Sequence, residues 1–126
     1  KIEPDFVETA GDFHTLIKGT TAAVVIGDRA LAQRKDSKYI YDLGEAWKAF
    51  TGLPFVFAAW VSNKEFDEKF IAEFNSVNQY GLDHIADVIK ENYYELYQME
   101  EYFNKNIDYR IDDLKKEGLN LFLEYL

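Results

Sequence analysis

The chain has 126 residues, of which 48% are hydrophobic and 17% aromatic, and these proportions exclude a disordered protein. It contains no cysteine, which excludes disulfides and thiolate metal sites. The net charge of −9 and the pI near 4.6 argue against non-specific binding to nucleic acid or anionic membrane surfaces, and no apolar run is long enough for a transmembrane helix.

The first half of the sequence alternates short apolar runs with short helical patterns. Four segments have the pattern of strands, namely residues 5–8, 21–26, 39–43 and 55–61. The runs at 21–26 and 55–61 are continuously apolar, as is typical of strands buried on both faces. Because helical patterns separate these strands, the sequence predicts an α/β layer with a mostly parallel sheet.

From Ser62 onward the pattern becomes helical and acidic. Residues 62–126 carry 15 acidic and 7 basic side chains, a net charge of −8, whereas residues 1–61 carry 8 and 7, a net charge of −1. Ser62 and Glu65 have the spacing of a capping box that begins a helix, and Asp112 is suited to cap the last helix. The aromatic stripes of these helices exceed what four short strands can cover. We therefore expect a missing partner layer, either an N-terminal portion of the same protein or another chain.

Signatures of metal and nucleotide chemistry are weak or absent. His14 and His84 stand 70 residues apart without a second ligand at a binding spacing, so we interpret both as ordinary helix-face residues. The sequence contains no glycine-rich phosphate loop, dinucleotide fingerprint or nucleophile elbow. The adjacent carboxylates Glu100 and Glu101 do not face each other on a helix, and we interpret them as solvated surface charge.

The first candidate site is the turn at Gly27 and Asp28. A buried strand is expected to end there and a helix to begin. In α/β sheets, ligands bind at the carboxyl ends of strands, helix-start amides can hold an anion, and glycine allows close approach to the backbone. The alternative is a tight turn in which Asp28 merely caps the helix, and periodicity alone favours this alternative.

The second candidate site lies in the aromatic stretch from Tyr41 to Trp60. Its turn, Thr51-Gly52-Leu53-Pro54, leads into the run that starts at Phe55. Glycine permits a backbone excursion there and proline fixes the entrance to the strand. Composition alone indicates a core strand with its turn, but the density of aromatic residues is equally compatible with a pocket for an aromatic ligand.

The same stretch carries a family resemblance. The pattern D-L-G-E-x-W-x-x-x-T-G-L-P-F-V-F-A-x-W, which runs from Asp42 to Trp60, resembles the signature of the menaquinone-biosynthesis family of the futalosine route. The upstream A-A-V-V-I-G-D-R-A-L is similar to another segment of that family. Weaker matches follow in order at Gly81-Leu82, Tyr102-Phe103, Asn106 to Arg110, and Gly118-Leu119 with Phe122. The resemblance thus covers nearly the whole chain.

Within this family, the continuation F-V-F-A-x-W after Gly-Leu-Pro is similar to chorismate dehydratase rather than to its sister, 1,4-dihydroxy-6-naphthoate synthase. The resemblance implies a hydro-lyase that converts chorismate to 3-[(1-carboxyvinyl)oxy]benzoate without metal or organic cofactor, in the cytoplasm. It also implies a two-lobed, type II periplasmic-binding-protein-like fold. The chain would correspond to the C-terminal half of such an enzyme and would be inactive alone.

The resemblance implies how this half is organised. Residues 1–54 would form part of one α/β lobe, and residues 55–126 would supply a crossing strand and the helices that complete the other lobe. Residues expected to line the chorismate cleft are Gly27, Asp28, Thr51, Gly52, Leu53, Pro54 and Phe55. The catalytic residues stay unassigned because the other half of the cleft would contribute to them. The alternative function is a non-catalytic solute-binding module of the same fold.

Overall fold

The computed structural model describes residues 3–9, 11–95 and 97–126. It divides into two compact units, of which the first ends at Ser37 and the second runs from Lys38 to Leu126. The expected division into lobes at residue 54 stays a prediction. Within the described ranges, no helix combines the length and the apolar character needed to cross a membrane.

Helices and irregular segments make up both units. The first unit contains a 3₁₀ turn, His14–Leu16, and helix α1, Asp28–Gln33. The second unit contains α2 (Leu43–Thr51), α3 (Glu68–Asp83), α4 (Ile85–Glu91), α5 (Met99–Glu101), a π-helical turn that continues α5 (Tyr102–Asn106), and α6 (Asp113–Glu124).

The expected α/β fold, a two-lobed periplasmic-binding-protein-like architecture with short parallel strands, is wrong. None of the four segments predicted as strands forms one among the described residues. A strand exists only when its backbone groups bond to a neighbouring strand, and no backbone hydrogen bonds join these four segments in the described part of the chain. Apolar composition identified segments that need cover, but composition does not provide the partner that would turn them into a sheet.

Aspartate side chains begin three of the helices. Asp42 accepts hydrogen bonds from the amides of Gly44 and Glu45 at the start of α2, and Asp112 caps α6 as the sequence predicts. The capping box predicted at Ser62 is wrong. The Ser62 hydroxyl instead closes a local turn with the backbone of Lys64, and α3 begins only at Glu68, where Asp67 accepts from the Phe70 amide.

The described residues bury little apolar surface. Met99, at 7% exposure, is the apolar residue that counts as buried among them. The accessible surface of the chain is 11783 Å², whereas a compact monomer of 14.7 kDa is expected to expose about 6,900 Å². The two runs predicted as buried strands contribute to this excess, since Val24 is 77% exposed and Ile26 81% exposed. The sequence therefore carries more apolar surface than this chain covers by itself.

Candidate functional site

The segment Thr51–Phe55 lies where α2 ends. Gly52 adopts the left-handed conformation, with φ of 78° and ψ of −6°, and its amide donates to the Lys48 carbonyl. Glycine adopts this conformation without steric penalty, so it ends the helix and turns the chain. The predicted break at this position is confirmed, and the chain then runs through Pro54 toward the aromatic segment.

The Thr51 hydroxyl is engaged with the local backbone. It donates to the Trp47 carbonyl oxygen over 2.8 Å and accepts from the Leu53 amide over 3.1 Å. These two bonds tie the last turn of α2 to the segment that leaves it. As a ligand group, the hydroxyl would keep one acceptor lone pair and would have to release Trp47 to donate elsewhere.

A cluster of aromatic rings surrounds the end of α2. Trp47 meets Phe55 and Phe122 with ring centroids 5.7 Å apart in each case, at interplanar angles of 74° and 79°, and meets Tyr125 at 6.2 Å. Phe55 lies 5.0 Å from Phe122 at 84°. Such edge-to-face pairs are the favoured geometry of aromatic side chains and stabilise beyond their buried area. The cluster fixes Phe55 in place.

Gly118 brings α6 against this segment. It is buried, and a Cβ atom built on it would lie 2.3 Å from the Pro54 carbonyl oxygen and 3.4 Å from the Leu53 Cβ atom. Only a residue without a side chain permits this approach of helix to backbone. Sequence reasoning missed this role, although a glycine inside an amphipathic helical pattern is a signal of close packing.

A three-residue ion-pair network holds the start of α6. Lys115 Nζ donates to Asp108 Oδ2 and Asp112 Oδ2, both over 2.8 Å. The Lys115 hydrogen bonds lower the pKa of both carboxyl groups, and amide donors add to this, from Arg110 for Asp108 and from Lys115 itself for Asp112. The two carboxylates in turn raise the pKa of Lys115. The network joins the segment before α6 to its first turn and so supports the position of Gly118.

Gly27 and Asp28 belong to the first unit. Gly27 precedes α1 with φ of 67° and ψ of −151°, a conformation that favours glycine, and no side chain caps the helix. Asp28 is the first helical residue rather than the cap, so the interpretation of Asp28 as a cap is wrong. A Cβ atom at Gly27 would meet nothing within 4 Å, so the backbone there is open to a neighbouring molecule.

The predicted site residues thus form two groups, Gly27 with Asp28 and the five residues Thr51–Phe55, one in each unit. Two open grooves lie elsewhere in the second unit. One has a volume of 560 Å³ and is lined by polar residues between Gln98 and Lys105, and the other, of 370 Å³, extends from Leu82 to Arg110. Neither groove includes a predicted cleft residue, so the assignment of those residues to a ligand stays a prediction.

One polar atom of the aromatic cluster was not anticipated. Trp47 Nε1 is buried, and no acceptor for it lies among the described residues. An indole N–H is a donor only, and it usually finds a partner when it is buried. The sequence marked Trp47 as aromatic helix surface, and nothing in its spacing indicated a donor next to Phe55.

The histidines occupy ordinary local positions. His84 Nδ1 lies 2.7 Å from the Tyr80 carbonyl oxygen, and the His14 ring stacks on Phe13 with centroids 4.4 Å apart. In the part of the chain that the structure describes, no three histidine, aspartate or glutamate side chains are grouped so as to hold a metal ion.

Comparison with known proteins bears on what these residues do. A protein-family model described as menaquinone biosynthesis matches residues 1–126. No solved structure matches the chain.

Proposed function

We propose that this chain, which belongs to the menaquinone biosynthesis family, is part of a chorismate dehydratase. The observation that carries the proposal is the match of the family over all 126 residues, combined with the dehydratase-like continuation Phe55-Val56-Phe57-Ala58 after the Gly-Leu-Pro turn. The reaction converts chorismate to 3-[(1-carboxyvinyl)oxy]benzoate with loss of water. On this proposal the enzyme is a cytoplasmic hydro-lyase.

Chorismate dehydration sets clear demands on a binding site. The ring must lose a proton and its 4-hydroxyl group, so a base and a group that stabilises the departing hydroxyl are required. Both substrate carboxylates need donors, because burial of an unpaired charge is costly. The chain offers polar backbone at two places for this task, the turn before α1 and the turn after α2.

The turn at Gly27 supports the proposal through its openness. No side chain caps α1, and the space next to Gly27 is free to 4 Å. The first-turn amides of Asp28 and Arg29 therefore face no competing side-chain acceptor, and such amides suit a carboxylate. We assign Gly27 and Asp28 to the substrate on this basis.

The segment Thr51–Phe55 supports the proposal through its rigidity. The Thr51 hydroxyl, the Gly52 turn and the aromatic cluster around Phe55 all fix its backbone. A preorganised backbone beside an aromatic ring suits a ring-shaped anionic substrate, because little ordering remains to be done on binding. The unpaired Trp47 Nε1 is a further donor in this region.

We further propose that the cleft is completed by more polypeptide, either an N-terminal half of the same protein or a partner chain. The excess of exposed surface supports this, since 11783 Å² far exceeds the area of a compact chain of this mass. We therefore expect no turnover of chorismate by the isolated chain. Detection of the enolpyruvyl benzoate by mass spectrometry from the purified 126-residue protein would contradict that expectation.

A chimera tests the activity. Residues 1–126 would replace the corresponding segment of an authentic chorismate dehydratase, and a matched chimera would use the sister naphthoate synthase. We expect water loss from chorismate in the first chimera and no product in the second. Product only in the synthase chimera would assign the chain to the sister enzyme. Chorismate binding without product in either would favour the non-catalytic binding module.

Two variants of the dehydratase chimera then test Thr51. Thr51→Val removes the hydroxyl with almost no change in volume, and Thr51→Ser retains it. If the hydroxyl contacts substrate, the valine variant loses chorismate affinity by roughly 1–3 kcal/mol while the serine variant keeps it. Equal kinetics in all three proteins would leave Thr51 as the residue that fastens the end of α2.

A further inference from the structure

The segment Pro54–Val61, named here the apolar segment, has unpaired backbone. It runs without a turn or bend, and in the described residues its amides and carbonyls form no hydrogen bonds. Exposed, unpaired backbone in an apolar stretch is a template for pairing with another chain.

The side chains of the apolar segment are largely uncovered as well. Phe55 packs into the aromatic cluster, but Phe57 is 79% exposed, Trp60 is 83% exposed and Val61 is 89% exposed. Trp60 touches Phe74 of α3 edge-on, with centroids 5.6 Å apart, and is otherwise open. A contiguous apolar patch of this kind marks an interaction surface in a folded protein.

Charge shows what this surface tolerates. No charged residue occurs between Lys48 and Lys64, which leaves 15 uncharged residues around the apolar segment. The surface is therefore neutral within a chain whose net charge is −9. Two copies of it can meet without placing like charges opposite each other, which is the usual obstacle to self-association of an acidic protein.

We infer that the apolar segments of two copies of this chain pair as an antiparallel two-stranded ribbon about a two-fold axis at Ala58. In this register Ala58 faces its own copy. The other opposing pairs join one residue of each copy, namely Val56 with Trp60, Phe55 with Val61, and Phe57 with Ala59. Two of these three pairs place an aromatic ring on a β-branched side chain, a favourable cross-strand combination. The pairing does not depend on the dehydratase proposal.

The available area is sufficient for such a dimer. A stable interface removes about 800 Å² from each partner, and the chain exposes 11783 Å² against about 6,900 Å² for a compact monomer. The interface is isologous, because each copy offers the same segment to the other, and an isologous contact closes at two chains. The charge of −9 on each copy opposes association, so dimerisation should strengthen as salt screens it.

Sedimentation equilibrium of the full chain tests the oligomeric state. We expect a monomer–dimer equilibrium at about 0.15 M salt that shifts toward dimer as the salt concentration rises. A monomer at every concentration, or open-ended association beyond the dimer, would overturn the inference.

Single substitutions at the two-fold axis test the register. Ala58→Lys places two ammonium groups opposite each other and should weaken the dimer about tenfold or more, whereas Ala23→Lys, at an exposed alanine of the first unit, should leave it unchanged. Because the chain has no cysteine, Ala58→Cys should form a cross-linked dimer on mild oxidation, since opposing residues of an antiparallel pair lie within disulfide reach. Ala23→Cys serves as its control. A dimer that ignores Ala58→Lys, or cross-linking no faster than the control, would assign the contact to another surface and overturn the pairing.

Discussion

Two continuously apolar runs, Thr21–Ile26 and Phe55–Val61, have nearly the same composition but different surroundings. In the first unit, Val24 and Ile26 stay exposed and no aromatic ring packs on the run among the described residues. In the second unit, Phe55 meets Trp47 and Phe122 and so begins to be covered. The difference teaches that an apolar run states a requirement for burial, while particular residues elsewhere in the chain decide whether it is met.

Gly118 is the residue on which that difference most depends, so its substitution gives the largest expected effect. In Gly118→Ala the added Cβ would stand 2.3 Å from the Pro54 carbonyl oxygen, and the backbone must move to admit it. We expect a loss of about 3 kcal/mol in the free energy of unfolding, measured with urea. Gly81→Ala is the control, since its Cβ meets nothing within 4 Å and alanine stabilises an exposed helix by about 0.5–1 kcal/mol. Equal effects of both variants would contradict the close contact of α6.

The aromatic cluster gives the second effect. Trp47→Ala removes edge-to-face contacts with Phe55, Phe122 and Tyr125. Because the indole is only partly buried, we expect about 2 kcal/mol of lost stability rather than the full value for a core residue. Phe6→Ala changes a ring that is 90% exposed and should stay within about 0.5 kcal/mol of the parent chain. A Trp47 effect no larger than this would mean that the second run is no better covered than the first.

Local signals in the sequence predicted local structure. The helix expected at residues 44–50 is present as Leu43–Thr51, and the cap at Asp112 is confirmed. These features depend on contacts within a few residues, which the sequence displays directly. The helix start expected at Ser62 failed because two candidate caps compete there, and Asp67 satisfies the α3 amides while Ser62 closes a turn.

The strands and part of the site could not be predicted from the same signals. A strand depends on a distant partner, and neither Thr21–Ile26 nor Phe55–Val61 bonds to one among the described residues. For the site, the turn at Gly52 followed from Thr-Gly-Leu-Pro, but the contact of Gly118 with Pro54 joins residues 64 positions apart. Such a contact becomes visible only when the helix has been placed.

Gly27 sharpens the comparison because its constraint is conformational rather than spatial. It has φ of 67° with open space around it, whereas Gly118 lacks space. We expect Gly27→Ala to lower the stability of the chain by about 1 kcal/mol, since an L side chain is strained at this φ. A semisynthetic chain with D-alanine at position 27 should recover the loss, because a D residue favours positive φ. Loss in both chains would point to a steric or packing role instead.

The smallest expected effect is the pH dependence contributed by the network that holds α6. Lys115 lowers the pKa of Asp108 and Asp112 in the folded chain. A carboxylate whose pKa falls on folding contributes stability that is fully present above its unfolded pKa, about 3.9, and is lost as the pH falls through the folded pKa. The raised pKa of Lys115 acts at the other end of the scale. Its contribution is fully present below the unfolded value of about 10.4 and is lost as the pH rises through the folded pKa.

Urea midpoints across the acid range check this contribution. Lys115→Met removes the donor common to both carboxylates, so the midpoint of the variant should fall less steeply with pH below about pH 4 than that of the parent chain. Lys69→Met makes the same change of charge at an exposed helix position, where the lysine lies 3.9 Å from Glu73. It should leave the steepness unaltered, because surface pairs of this kind contribute little. If both variants flatten the acid limb equally, net charge rather than the Lys115 network sets it. The better cover of the second apolar run would then rest on Gly118 and the aromatic cluster alone.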